Sequence, residues 1–78
     1  EYILQDLRSG RIAESIPKLE SLAKADPNSV DVLFNLGLAY SETGQFDEAI
    51  IRLKNVVRLA PSHAHAWTAI GVAYQRMG

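Results

Sequence analysis

Apolar side chains recur along this chain at steps of three and four residues, the spacing that gathers them on one face of a helix. From Val30 to about Thr43, Leu33, Leu36, Gly37 and Tyr40 share such a face. Ser29 stands where a hydroxyl caps the first turn, and Gly44 supplies the stop, being free to take the left-handed conformation. A second helix is predicted from about Phe46 to Leu59. Its apolar face carries Phe46, Ala49, Ile50, Leu53, Val56 and Val57. Asp47 and Glu48 lie in its first turn and Arg58 near its end, each where the helix dipole favours its charge, and Pro61 forbids continuation. The same pattern covers Ile12 to Ala25 before Asp26-Pro27-Asn28, and Ala64 to Met77 after Pro61-Ser62-His63. Pro17 falls inside the first of these, where the missing N–H and the ring clash cost roughly 3 kcal/mol, so a kink or a frayed start is expected there.

These helices belong to a repeat. At an offset of 34 residues Gly10 recurs as Gly44 and Gly78, Pro27 as Pro61, Gly37 as Gly71, Ala39 as Ala73, Tyr40 as Tyr74, Glu14 as Glu48, Ile16 as Ile50 and Leu19 as Leu53. Conservative pairs fill the gaps: Ile12 with Phe46, Lys18 with Arg52, Leu22 with Val56, Leu33 with Trp67, Leu36 with Ile70. The glycines at the helix ends are therefore punctuation, Gly10 included. A period of this size marks stacked units, each unable to bury its apolar face alone.

Composition narrows the picture without redirecting it. The chain has 78 residues, the size at which one core gives only marginal stability, and no cysteine to supply a disulfide or a thiolate metal site. At 47% hydrophobic and 22% charged it is too apolar to be disordered, yet its apolar runs of three or four residues are far too short to cross a bilayer. A net charge of −1 with scattered Lys and Arg offers no basic stripe for nucleic acid, and the aromatic residues sit at packing positions. Opening on Glu-Tyr, the chain has the look of a segment cut from a longer array.

The stretch Leu33-x2-Leu36-Gly37-x2-Tyr40, then Gly44-x-Phe46-x2-Ala49, then Pro61, resembles the tetratricopeptide repeat. Trp67-x2-Ile70-Gly71-x2-Tyr74 begins another copy with the family's Trp in place. The resemblance covers nearly the whole chain. It implies an all-α fold, a right-handed superhelix of antiparallel helix pairs with about five helices, divided as a partial repeat 1–29, a full repeat 30–63 and a partial repeat 64–78. The first unit departs from the pattern: Tyr2, Ile3 and Asp6 stand where Leu, Gly and Tyr are usual, and Ser15 where Ala is. Leu22 and Val56, at a position where the family prefers Ala, are expected to hold packed helices slightly apart.

What the resemblance implies for function is recognition of a protein or peptide on the inner wall, formed by the first helix of each pair. It places Asp31, Phe34, Asn35, Leu38, Ser41 and Glu42 there in the middle unit, His65, Thr68, Ala69, Val72, Gln75 and Arg76 in the third, and Leu4, Leu7 and Arg8 in the first. Leu4, Leu38 and Val72 are equivalent, so stacking aligns them as an apolar strip with Phe34 and Leu7 beside it, while Arg8, Glu42 and Arg76 form a plus-minus-plus rail. Such a groove suits a segment with apolar anchors. The clamp by which some family members hold acidic C-terminal tails of chaperones is not expected. Only Asn35 matches it; Leu4 replaces an Asn, His65 a Lys and Ala69 the Arg, so the charge-assisted bonds are missing.

His63 and His65 lack the Asp, Glu or Cys that would complete a metal site, and His63 is better read as a loop or capping residue. No cofactor is expected, nor catalysis: there is no phosphate-cradling glycine loop, no cysteine nucleophile and no serine elbow. The leading expectation is a non-enzymatic scaffold that binds a protein partner. The alternatives are a homo-oligomer formed through Trp67, Ile70 and Tyr74, the face that a following helix would cover, and a repeat domain of a larger enzyme or regulator. In either case the stability that a short array lacks is expected from a partner copy or from residues beyond Gly78.

Overall fold

The computed structural model describes residues 2–78, with side chains from Arg11 onward, and consists of four helices: α1 (Tyr2–Ala25), α2 (Val30–Glu42), α3 (Phe46–Leu59) and α4 (Ala64–Met77). No strand occurs among the described residues. Each helix packs on the next and α2 also touches α4, giving a slab of 37 × 30 × 17 Å.

The repeat is visible bond by bond. Asp26 N–H donates to the Leu22 carbonyl at 2.9 Å, as Ala60 N–H does to Val56 at 2.7 Å. Ser29 N–H donates to the Asp26 carbonyl at 3.2 Å, as His63 N–H does to Ala60 at 3.0 Å. Each turn then ends on a side-chain cap. Ser29 Oγ accepts from Val32 N–H at 3.4 Å at the start of α2, and His63 Nδ1 accepts from Ala66 N–H at 3.1 Å at the start of α4. The α2–α3 turn closes as a Schellman motif: Gly44 sits at φ 81°, its N–H donates to the Ser41 carbonyl at 3.1 Å, and Gln45 N–H reaches back to Tyr40 at 2.8 Å.

Two expectations about the N-terminal unit change. Its two helical stretches run as one helix, so Gly10 lies within α1 rather than ending a helix, and the described helices number four, close to the expected count of about five. Pro17 likewise neither starts nor ends a helix. At Gly37 an added Cβ would lie 2.8 Å from Leu53 Cγ and 3.4 Å from the Ala49 carbonyl, so α2 and α3 approach this closely only because Gly37 has no side chain.

The core follows the apolar faces. Leu36, Tyr40, Ala49, Leu53 and Ile70 form one buried cluster, with Ile16, Leu19 and Ala23 of α1 packed against it; Leu33, Val56 and Ala66 form a second. Tyr40 belongs to a polar link across three helices. Its hydroxyl donates to Glu20 Oε2 at 2.8 Å, Arg52 bonds both Glu20 oxygens at 3.3 Å and Glu48 Oε1 at 3.3 Å, and the Arg52 guanidinium lies 5.5 Å from the Tyr40 ring centroid. Burial first, and then the hydrogen bond and charge of Glu20, raise the Tyr40 phenol above its ordinary value.

Val56 is fully buried as expected, but Leu22, its equivalent, is 53% exposed and separates nothing. Val56 lies between α2 and α4, whereas among the described residues α1 packs on α2 alone.

Candidate interaction surface

Of the residues placed on the inner wall, Asp31, Asn35, Leu38 and Glu42 of α2 and His65, Thr68, Val72, Gln75 and Arg76 of α4 are exposed. Leu38 and Val72, at equivalent positions, are among the large apolar side chains left to solvent. Leu4, Leu7 and Arg8 lie outside the residues whose side chains are described. Ser41 is half-buried. Two wall positions, Phe34 and Ala69, are half-buried. Phe34 packs against both core clusters with its ring 4.7 Å from that of His63, and Ala69 packs against the first cluster.

A shallow hollow of about 250 Å³ lies between α1 and α2, lined by Ile12, Ser15, Leu19, Asn35, Leu38, Ala39 and Glu42. Four of these, Ile12, Ser15, Leu19 and Ala39, escape a reading that looks only at inner-wall positions. A signal for them is present in the repeat. Ser15 and Leu19 are the equivalents of Ala49 and Leu53, which are completely buried between neighbours. At the end of a stack, core positions become surface. The hollow has an apolar floor, the exposed Asn35 amide at one side and the Glu42 carboxylate at its rim, so it can hold apolar side chains and offer a hydrogen bond and a negative charge beside them. Glu42 makes no ion pair among the described residues, where the pairs are those of Arg52 with Glu20 and Glu48. A second hollow of about 560 Å³, lined by Glu20, Ser21, Ala23, Lys24, Pro27 and Arg52, mixes charges of both signs, and its Arg52 is already engaged.

The face assigned to self-association divides. Trp67 is 54% exposed and Tyr74 about as open, whereas Ile70 is buried in the first core cluster and contributes nothing to that face. Ile70 turns inward because α3 presents Leu53 and Ala49 beneath it. Trp67 is held by its Nε1–H, which donates to the Pro61 carbonyl at 2.8 Å, and Lys54 Nζ lies 5.7 Å from the Tyr74 ring. His63 spends its Nδ1 lone pair on the helix cap, and its ring meets that of His65 edge-on at 6.4 Å. Among the described residues no three His, Asp or Glu side chains gather as a metal site would require, and no helix is long and apolar enough to cross a membrane.

The sequence profile of the tetratricopeptide repeat matches residues 6–77. No curated protein matches the chain.

Proposed function

Because the chain belongs to the tetratricopeptide repeat family, whose members are generally protein–protein interaction modules and typically non-catalytic, we propose that it is a non-enzymatic scaffold. Its docking surface is the hollow between α1 and α2, which takes an apolar segment of a protein partner. The observation that carries this reading is the hollow's composition: exposed Leu38 and half-buried Leu19 and Ile12 form a floor rimmed by Asn35 and Glu42. Apolar contact supplies the affinity, at about 25 cal/mol per Å² removed from water. Asn35 fixes orientation by bonding the segment's backbone, and Glu42 favours a basic residue beside the anchor.

Titration with a panel of labelled peptides, each with two or three apolar anchors and differing in flanking charge, tests this. Peptides with a basic flank are expected to bind best, Leu38→Glu to abolish binding, and Glu42→Lys to reverse the charge preference. Equal affinity of wild type and Leu38→Glu for every peptide would overturn the assignment.

A further inference from the structure

The first helices of successive repeats begin on different chemistry. Ser29 caps α2 with a hydroxyl, which accepts from Val32 N–H at 3.4 Å and does not titrate. His63, one period later, caps α4 with a ring nitrogen, Nδ1 accepting from Ala66 N–H at 3.1 Å. An imidazole nitrogen accepts only while it carries no proton, so this cap requires the neutral ring with its proton on Nε2. Ala66, whose N–H is held in this way, is completely buried in the second core cluster with Leu33 and Val56.

We infer that His63 makes the start of α4 a proton-sensitive switch, in which uptake of a proton turns the capping acceptor into a donor and releases the first turn of the helix. Two changes follow together. Nδ1–H then faces Ala66 N–H, donor against donor, and the ring has to turn away. Ala66 N–H keeps only the His63 carbonyl at 3.2 Å, an oxygen it shares with Trp67 N–H at 3.3 Å. The imidazolium also adds a positive charge at the positive end of the helix dipole.

The surroundings leave that charge without a carboxylate. Phe34 of α2 lies 4.7 Å from His63, ring to ring and tilted by 43°, and His65 of α4 meets it edge-on at 6.4 Å, a second imidazole whose charge would repel the first. Asp31, one turn before Phe34 on α2, makes no ion pair with either imidazole among the described residues, and Arg58 near the end of α3 bonds Asn55 Oδ1 at 3.3 Å. Phe34 alone favours the cation, through its ring face; the lost acceptor and the dipole oppose it. The cap is therefore intact near neutral pH and is lost as pH falls toward about 5, the span in which an imidazole gains its proton. Acid thereby acts on the helix that carries Val72 and Arg76 of the inner wall. It also acts on Trp67, whose Nε1–H is tied to the Pro61 carbonyl in the same turn. The switch is independent of what docks between α1 and α2.

Urea unfolding of the full chain between about pH 7.5 and about pH 5, for wild type, His63→Asn and His65→Asn, is the test, read beside amide spectra of the native state. His63→Asn keeps a capping oxygen that does not titrate. Over this span the unfolding constant of wild type is expected to rise about fivefold more than that of His63→Asn, the loss of one cap, with His65→Asn following wild type. In native wild type the Ala66 amide and the Trp67 indole shift with pH, whereas the Val32 amide, capped by Ser29, holds its place. Parallel profiles for wild type and His63→Asn would overturn the inference. So would a wild type that gains stability in acid, the mark of Phe34 holding the cation, or a pH response that disappears in His65→Asn and persists in His63→Asn.

Discussion

At the scale of single residues, the two equivalent glycines differ in what they do. Leu53 is fully buried and has no room to retreat from a methyl group on Gly37, so Gly37→Ala is expected to destabilise the fold by about 1–3 kcal/mol through overpacking. Gly71→Ala meets no atom and gains helix propensity of about 0.8–1 kcal/mol. Urea unfolding at concentrations low enough to keep the chain monomeric would show the two midpoints moving in opposite directions; a shift of the same sign and size would contradict the packing described. Tyr40 supplies a pH dependence. Its folded phenol holds its proton more tightly than the unfolded one, so the stability it contributes is complete below the ordinary tyrosine value of about 10 and is lost as pH rises through the raised folded value. Denaturant midpoints measured between about pH 9 and pH 11 should fall less steeply for Tyr40→Phe than for wild type, and identical slopes would mean that burial and the Glu20 bond do not hold the phenol protonated in the fold.

At the scale of elements, α2, α3 and α4 were legible because independent signals agreed: an apolar face for each, a capping side chain at the start of α2 and α4, and Gly44 or Pro61 after the end of α2 and α3. Ser29 and Gly44 act as those signals require, and His63 occupies the place of Ser29 with an imidazole nitrogen as acceptor. His63→Ala is expected to cost about 1 kcal/mol in thermal or urea unfolding, and His63→Asn to recover the capping part of it. Helix α1 was less legible. Gly10 has the right identity for a stop, but the helix runs on through it. Since the helix passes through Pro17, Pro17→Ala is expected to stabilise the chain by about 2–3 kcal/mol, the cost of an interior proline. A helix that instead began at Pro17 would show no gain, because proline is well tolerated in a first turn.

At the scale of the whole molecule, the repeat explains both what is buried and what is left open. Leu53 and Val56 have neighbours on two sides; Leu19, Leu22, Trp67 and Tyr74 occupy the same kinds of position at the ends and have neighbours on one. Periodicity reports which face of a helix is apolar and is blind to whether another helix arrives to cover it. That is why the exposed positions Asn35, Leu38, Glu42 and Val72 follow from the pattern, whereas Ile12, Ser15 and Leu19, part-exposed, are signalled only by their equivalence to positions of the second helix in the middle unit. Ile70 is buried and Phe34 half-buried for the complementary reason, since neighbours do arrive beside them.

The central claim is that the hollow between α1 and α2 is where a partner's apolar segment docks. Amide chemical-shift mapping with the tightest-binding peptide of the panel addresses it most directly. The account predicts that the largest perturbations fall on Ile12, Leu19, Asn35, Leu38 and Glu42 and disappear in Leu38→Glu, whereas perturbations confined to the exposed apolar residues Leu22 and Ile51, or to Trp67 and Tyr74, all outside the hollow, would contradict it.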